Sequence, residues 1–193
     1  KVKITKEDII KTALELVRVG GEGAINARRI ASALGSSTQP IFSNFSSMEE
    51  LEKEVGISAY NLYLGFIEKE LAKGEYPPYK SYGMAYIRFA QEEKELFKLL
   101  FMRDRVSDGS LTDFNISWGI PLIEDSVQVD VDTARKLYEA NWLYCHGLAV
   151  AIATKYIPCI SECQMRQMLV TSMQSAALQL NVTLPTLDQC KDI

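Results

Sequence analysis

The stretch RRIASALGSSTQPIFSNFSSMEEL, residues 28–51, decides the fold of this 193-residue chain. It predicts a short helix, a tight turn and a second short helix. Asn26 is a good N-cap for the first of these helices, and Gly35 is well placed to end it. The apolar residues of this helix have i, i+3, i+4 and i+7 spacing, which gives one narrow buried face: Ala27, Ile30, Ala31 and Leu34. The short turn that follows is typical of a helix-turn-helix.

A proline lies inside the second short helix, which we expect to begin with Ser36 or Ser37 as its N-cap. Pro40 then falls in the first turn, where the N–H groups have no partner within the helix, so that the missing N–H costs little. Ile41 and Phe45, spaced i, i+4, are predicted to face inward. The remaining side chains of this helix point elsewhere and are free to contact another molecule.

Helical periodicity extends over the rest of the chain, and no strand pattern competes with it. Thr5 with Asp8, Ser47 with Glu50, and Ser161 with Gln164 form capping-box patterns. The long helix that Ser47 opens is expected to bury Leu51, Val55, Ala59, Leu62, Phe66 and Leu71. The other predicted segments are a helix from Thr5 to Gly20-Gly21, one helix over 79–103, a loop over 104–110, short helices over 111–128 broken near Gly119 and Pro121, a helix from Asp130 or Asp132 to before Pro158, a helix from Ser161 to about Leu180, and an extended or frayed tail after Asn181. The sequence therefore predicts an all-α fold.

Charge is distributed unevenly along the chain, whose net charge is −4. Residues 1–48 carry seven basic and four acidic side chains, a net charge of +3, so the remainder carries −7. A slightly basic head on an acidic body suggests a division of roles. No apolar run approaches the roughly 18 residues of a membrane span, no signal peptide is evident, and the four cysteines fit a reducing compartment. These features predict a cytoplasmic protein with no membrane partner.

The N-terminal pattern over residues 4–55 resembles the TetR family of transcriptional regulators. The residues that carry the resemblance are Ala13, Gly20-Gly21, Asn26, Ile30-Ala31, Gly35, Phe42, Phe45 and Leu51. It implies a three-helix helix-turn-helix DNA-binding head over 1–50. It also implies a larger helical bundle over 51–193 that binds a small-molecule effector and forms a homodimer. The implied function is a DNA-binding transcriptional regulator, a repressor that its effector releases from a palindromic operator in double-stranded DNA.

A helix-turn-helix places its second helix in the major groove with N-terminal side chains on base edges. Gln39 can pair with adenine, while Thr38 and Pro40 can contact a thymine methyl. Arg28, Ser43, Asn44, Ser46 and Ser47 are candidates for phosphate contacts, with Arg28 also near a base. The predicted DNA-binding residues are Arg28, Ser37, Thr38, Gln39, Pro40, Phe42, Ser43, Asn44 and Ser47. The alternatives are a solvated surface charge at Arg28 and purely structural turn and cap roles for Ser46 and Ser47.

Two positions depart from the family pattern. The family commonly has Tyr where Phe42 stands and Lys where Met48 stands, and both of those residues offer a donor or a charge to phosphate. Glu49 and Glu50 add negative charge beside them. Because phosphate contacts dominate affinity and its salt dependence, we expect weaker and less salt-dependent DNA binding than the family norm.

A second resemblance lies at NWLYCHGLAVAI, residues 141–152, which is similar to the Trp…His-Gly signature of one TetR subfamily. It implies an effector pocket, for which the aromatic and polar candidates are Tyr86, Phe89, Asn115, Trp118, Trp142 and His146. The alternative is that these side chains are ordinary core. It also implies a dimer through the last two long helices, about 132–157 and 161–180, with small or adaptable surface from Ala149, Ala153, Met173, Ala176 and Ala177.

Catalytic and metal motifs are not recognisable in the sequence. There is one histidine, no Gly-rich phosphate loop and no Gly-x-Ser-x-Gly elbow, and the spacing of Cys145, His146, Cys159 and Cys163 fits no usual zinc site. We therefore predict no enzymatic activity, no catalytic residues, no metal and no cofactor. Two rivals to the regulator remain open: an all-helical small-molecule-binding protein with weak or lost DNA binding, and an enzyme built on a helical bundle.

Overall fold

A computed structural model describes residues 4–103 and 112–185, with side chains from residue 118 onward in the second range. Every regular element in these ranges is a helix, which confirms the all-α fold. The α-helices are α1 Lys6–Gly20, α2 Ala27–Ala33, α3 Gln39–Asn44, α4 Met48–Lys73, α5 Pro78–Glu92, α6 Lys94–Phe101, α7 Thr112–Val127, α8 Val131–Ala153 and α9 Glu162–Gln179, with a 3₁₀ turn at Glu22–Ala24. Of these described helices, none is long and apolar enough to cross a bilayer.

The described residues group by packing into two compact units. The first unit consists of residues 4–65 and 92–103, and the second consists of residues 66–91 and 112–185. This grouping reflects packing and does not test where a functional domain ends. The predicted boundary between residues 50 and 51 therefore stays a prediction.

The start of α1 is fixed by the predicted capping box. Asp8 N–H donates to Thr5 Oγ1 over 3.1 Å, and Thr5 N–H donates to the Asp8 carboxylate over 2.9 Å. The helix ends at Gly21, whose φ of 71° lies in the left-handed region that suits glycine. One face of α1 is fully buried, at Ile9, Ala13 and Val17, and forms the core of the first unit together with α2, α3 and α6.

Helix α4 buries a different stripe from the predicted one beyond Ala59. Leu51, Val55 and Ala59 are completely buried as expected. The stripe then continues with Tyr63 and Ile67, whereas Leu62 and Phe66 are only half-buried and Leu71 is exposed. The prediction assigned the buried face to the large aliphatic and Phe residues. In the structure the buried positions continue in steps of four residues from Ala59, which leads to Tyr63 and Ile67.

The predicted single helix over 79–103 is wrong, because the structure has two helices, α5 and α6. Glu93 separates them with φ −120° and ψ 53°, which is outside the helical region. Its carboxylate accepts hydrogen bonds from Arg18 Nε over 2.9 Å and from the Arg18 terminal nitrogen over 2.7 Å. No glycine or proline marks the break, so periodicity alone could not reveal it.

Residues 112–127 form one helix, α7, and the predicted break near Gly119 and Pro121 is wrong. Gly119 serves a packing role there instead. A Cβ built on Gly119 would lie 2.1 Å from Cε2 of the Tyr138 ring on α8, so only glycine permits this close approach. Burial raises the pKa of Tyr138 to about 12. Pro121 is accommodated within the helix.

The second unit is built around α5, which is buried over most of its length. The predicted N-caps Asp130 and Ser161 begin α8 and α9, the second with a complete capping box. Cys145 on α8 is buried, and desolvation raises the pKa of its thiol to about 12. Residues 182–185 have no regular structure, while the rest of the expected tail and the loop predicted over 104–110 lie outside the described residues.

The small residues expected at a dimer interface are buried within the single chain instead. Ala149 and Ala153 are completely buried, and Met173, Ala176 and Ala177 belong to a core cluster with Tyr79, Ile120 and Leu137. That part of the prediction is wrong because these residues satisfy the packing of their own bundle. The outer face of α8 instead exposes Leu143, which is 64% accessible, beside the exposed Tyr144 and Gly147.

Candidate nucleic-acid and ligand sites

Helices α2 and α3 are joined by a turn that depends on Gly35. Asn26 begins α2 by accepting hydrogen bonds from the N–H groups of Arg28 and Arg29, over 2.9 and 3.4 Å. At the other end, Gly35 has a φ of 61°, and Ser36 N–H donates to Ala31 O over 2.9 Å. The left-handed glycine and this backbone bond reverse the chain within a few residues.

Helix α3 begins one residue later than expected. Its N-cap is Thr38, not Ser36 or Ser37, and the Thr38 side chain makes no capping hydrogen bond. Pro40 lies at the second helical position, where a missing N–H leaves no helical bond unmade. Ile41 is completely buried and Phe45 is 2% exposed, as predicted, so the inward face of this short helix is well anchored.

The outward face of α3 presents an amide and an aromatic ring to solvent. Gln39 is exposed, and within the described residues nothing hydrogen-bonds its side-chain amide. Phe42, one turn further on, is 56% exposed, a large value for an aromatic side chain. Both groups are therefore available to another molecule.

The polar side chains at the end of α3 are engaged in their own helix. Ser43 Oγ donates to Gln39 O over 2.9 Å, and Asn44 Nδ2 donates to Pro40 O over 2.7 Å. Phosphate oxygens only accept hydrogen bonds, so each of these donors is available to phosphate only if the internal bond is broken. Asn44 retains one N–H, because its amide has two.

A depression of about 830 Å³ runs along the first turns of α1 and the α2–α3 turn. Lys11 and Asp8 lie on one wall, and Gln39 and Ser43 lie on the other. Asp8 is engaged in the α1 capping box, and hydrogen bonds from Thr5 hold the pKa of its carboxyl below the usual value. Lys11 is exposed.

The serines before α4 are held by the acidic residues that follow them. Glu50 accepts from Ser46 N–H over 2.7 Å and from Ser46 Oγ over 2.6 Å, while Glu50 N–H donates to Ser47 Oγ over 3.2 Å. The predicted capping box is thus shifted, since the glutamate returns to Ser46 N–H instead of Ser47 N–H. The Ser47 hydroxyl also lowers the pKa of Glu49 by hydrogen bonding to it.

The five basic side chains within residues 4–48 fall into two groups. Lys6 pairs with Glu54 over 2.9 Å, which raises the pKa of Lys6, and Arg18 pairs with Glu93 over 2.7 Å. Lys11, Arg28 and Arg29 are exposed, and none of them forms an ion pair with another described residue. These three cations are available to an anionic partner.

In the second unit, three of the six candidate pocket residues come together. The Tyr86 hydroxyl and His146 Nδ1 are 2.8 Å apart, and the Trp142 and His146 rings stack with centroids 5.2 Å apart and planes 12° from parallel. Tyr86 is buried, whereas Trp142 is 38% exposed. The cluster therefore links the core to the surface through His146.

Of the other three candidates, Phe89 and Trp118 have described side chains. Phe89 is completely buried and packs edge-on against Phe66, with centroids 5.3 Å apart, as a core residue would. Trp118 is 51% exposed. The side chain of Asn115 lies outside the described residues.

An ion-pair network in the second unit was not predicted from the sequence. The Glu70 carboxylate is 2% exposed and accepts from Lys73 Nζ and from Arg88 Nε, both over 2.8 Å, and Arg88 also contacts Glu162 over 3.2 Å. The i, i+3 spacing of Glu70 and Lys73 was a visible signal, but the Arg88 contact depends on tertiary packing.

The α8–α9 connection is held by a single glutamine. Gln91 Nε2 donates to Ile160 O over 3.2 Å, and Ile160 N–H donates to Gln91 Oε1 over 3.0 Å. This pair of bonds satisfies both backbone polar groups of Ile160, in the loop just before α9. No signal in the sequence pointed to it.

In the ranges 4–103 and 112–185, no three His, Cys, Asp or Glu side chains lie close enough together to hold a metal ion. No protein-family model matches the chain, and no curated protein matches it.

Proposed function

We propose that this chain is a homodimeric transcriptional regulator of the TetR type, a repressor that a small-molecule effector releases from a palindromic operator. The observation that carries the proposal is the pair of short helices α2 and α3. They are joined by a left-handed glycine, and the second helix buries Ile41 while exposing Gln39 and Phe42. An anchored helix with an exposed reading face is what insertion into a major groove requires.

Charge supports DNA as the partner of this face. Lys11 on α1 and Arg28 and Arg29 on α2 are exposed cations on the two helices that precede α3 in the chain, and phosphates supply the complementary charge. Few cations are available, and the Ser46 and Ser47 hydroxyls are engaged by acidic side chains. We therefore expect the affinity for DNA to fall only modestly as the salt concentration rises.

Dimerisation is proposed through the outer faces of α8 and α9. Leu143, Tyr144 and Gly147 form an apolar strip on α8, and Leu178, 77% accessible, lies near the end of α9. An exposed apolar strip of this kind on a long helix favours association with another helix. A two-fold dimer would place two α3 helices on successive turns of a palindromic site.

Effector binding is proposed in the second unit beside Tyr86, Trp142 and His146. The stacked rings offer an apolar wall, and the tyrosine–histidine pair offers polar contacts, which together suit a small, largely apolar ligand. Release from DNA then requires that the effector bind more tightly to a dimer state whose heads no longer match the operator spacing.

The test is fluorescence anisotropy on duplex DNA from around the coding region, against scrambled DNA of equal composition, at two salt concentrations. The regulator predicts selective binding that survives the higher salt. The double variant Gln39→Ala/Phe42→Ala should lose this selective DNA binding but keep its fold, because both side chains are exposed. Val19→Ala, which trims another highly exposed apolar side chain, is the matched control. Equal, weak binding to both DNAs would contradict the proposal for that DNA.

A second function, small-molecule binding without useful DNA binding, is favoured by one feature. Glu49 and Glu50 engage the Ser47 and Ser46 hydroxyls and place two negative charges at the start of α4. Under this alternative, a hydrophobic ligand would quench Trp142 fluorescence while no duplex, including those enriched from a random pool, would bind above background.

A further inference from the structure

We infer that a groove between α1 and α4 is a further ligand site, which takes a small organic cation with an apolar body, such as an arylalkylammonium ion. The α1–α4 groove has a volume of about 420 Å³ and is lined by side chains of these two helices alone. It belongs to the first unit, whereas the proposed effector site belongs to the second. The inference therefore goes beyond the proposed function and does not rest on it.

Each helix contributes one regular face to the α1–α4 groove. On α4 the lining residues recur at i, i+3, i+4 and i+7, which places them along a single stripe: Glu54, Ile57, Ser58 and Asn61. On α1, Glu7 and Ile10 are three residues apart and share a face for the same reason. The walls of the groove are thus two helices, which hold its side chains more precisely than a loop would.

The α1–α4 groove combines apolar surface with polar groups that the fold does not engage. Ile57 is 48% exposed and Ile10 is half-buried, so two branched aliphatic side chains line it. Neither the Ser58 hydroxyl nor the Asn61 amide hydrogen-bonds to another described residue. Apolar side chains with a few polar groups, in a volume of about 300–1,000 Å³, are typical of small-molecule sites.

The charge around the α1–α4 groove favours a cation. Lys6 Nζ lies 2.9 Å from the Glu54 carboxylate and 3.6 Å from that of Glu50. The same ammonium group is 5.0 Å from the centroid of the Phe45 ring, so it is well engaged. Glu7 is exposed and pairs with no cation among the described residues. Three carboxylates against one ammonium group leave a net charge of −2, which attracts a cation and repels an anion of the same shape.

The positions of the charge and of the apolar surface fix how the ligand lies. Glu7 is the carboxylate available to a cationic head group. Ile10 follows it on the same face of α1, and Ile57 lies on the facing wall. A head group at Glu7 therefore brings an apolar body into contact with both isoleucines.

The experiment compares three probes of one shape on the full-length protein. Phenylbutylamine is protonated at neutral pH, as a lysine side chain is, while phenylbutanol is neutral and phenylbutyrate is an anion. Binding is followed by NMR of isotope-labelled isoleucine methyl groups, so that Ile10 and Ile57 report on the site directly. We expect the amine to bind about fivefold more tightly than the alcohol, the effect of about one exposed ion pair, and the anion to bind more weakly than either.

Two variants separate the head group from the body of the probe. Glu7→Gln should remove the preference for the amine over the alcohol, because the alcohol makes no use of the charge. Ile57→Ala should weaken both probes by the same factor, about threefold, since it removes apolar contact. The matched controls are Glu68→Gln, at another exposed glutamate on α4, and Val19→Ala, at another exposed apolar residue on α1, and both should leave the affinities unchanged.

The outcomes decide the inference without reference to DNA. Failure of the amine to bind, equal affinities for the three probes, or shifts confined to isoleucines outside the α1–α4 groove would overturn it. An unchanged preference for the amine in Glu7→Gln would overturn it as well. Support would be a preference that Glu7→Gln removes and Glu68→Gln retains, with methyl shifts at Ile10 and Ile57. Failure of the proposed function is detected separately, by the anisotropy measurement on duplex DNA.

Discussion

Replacing Gly119 by alanine tests the close approach of α7 to the Tyr138 ring on α8. The new Cβ would lie 2.1 and 2.5 Å from two atoms of the Tyr138 ring, whereas ordinary contacts begin near 3.4 Å. The ring or the helix must therefore retreat by about 1.3 Å, which places the cost near the upper end of overpacking, about 3 kcal/mol. Alanine is about 1 kcal/mol more favourable than glycine in a helix, so we expect a net loss of about 2 kcal/mol in the free energy of unfolding.

The matched control is Gly56→Ala on α4, where an added Cβ meets nothing within 4 Å. The same substitution there should stabilise by about 0.5–1 kcal/mol, so the two variants should differ by about 3 kcal/mol. The assay is urea unfolding followed by far-ultraviolet circular dichroism at equal protein concentrations, since association affects apparent stability. In thermal unfolding, the Gly119→Ala variant should lose about 4–8 °C.

A double-mutant cycle identifies Tyr138 as the cause. In a Tyr138→Ala background the ring is absent, so Gly119→Ala should become neutral or stabilising. If Gly119→Ala proves as stable as Gly56→Ala, or if its cost persists without the tyrosine ring, the reasoning about this contact is refuted.

Three further predictions concern the head, the capping box and the outer face of α8. Met48→Lys should add one phosphate contact, which steepens the fall of log K for DNA with log salt concentration by about 0.9 and makes the loss of affinity between about 50 and 200 mM salt about 3.5-fold larger. Lys155→Met, in the α8–α9 connection, is the charge control. An unchanged slope would exclude Met48 from the DNA interface. Because hydrogen bonds from Thr5 lower the pKa of Asp8 in the folded chain, its carboxylate contributes stability above its ordinary pKa and loses it as the pH falls through the lowered value. Asp8→Asn should therefore destabilise most at neutral pH and least in acid, as urea titrations would measure, and a constant difference would contradict the sign. Leu143→Glu should convert the proposed dimer to monomer in light scattering without loss of helicity, whereas Val131→Glu, at a position 48% exposed at the start of α8, should not.

Helix starts were the best-predicted features, because their signals are local. Thr5 with Asp8, Asn26, Asp130, and Ser161 with Gln164 all cap helices where the sequence indicated. A cap depends on the next three residues, all of which are visible in the sequence.

The errors arose where tertiary packing decides. In the sequence, Gly119 indicates a helix break, because the residue that explains its presence, Tyr138, lies in another helix. The α5–α6 break at Glu93 depends on Arg18, distant in sequence, and the α4 stripe depends on which neighbours pack against it. None of these partners can be identified from periodicity.

The sequence predicted where the residues of the candidate site lie, but not which hydrogen bonds their side chains form. The turn and the inward Ile41 and Phe45 agree with the structure. The internal bonds of Ser43, Asn44 and Ser46 could not be foreseen, because each serine or asparagine has several equally short-range partners. The bond from Glu50 N–H to Ser47 Oγ is the half of the predicted capping box that the structure contains. The DNA and effector roles of the named residues stay predictions.

The alkylation rate of the buried Cys145 thiol reports how often the folded bundle opens. Only the thiolate reacts with alkylating reagents, and a pKa raised to about 12 inside the bundle suppresses it almost completely. Cys145 Sγ lies 3.6 Å from the position that a Cβ on Gly83 would take, so α5 and α8 must separate before a reagent can enter. The labelling rate at Cys145 then counts the openings of the folded bundle, while the exposed Cys159 reacts promptly and calibrates the reagent.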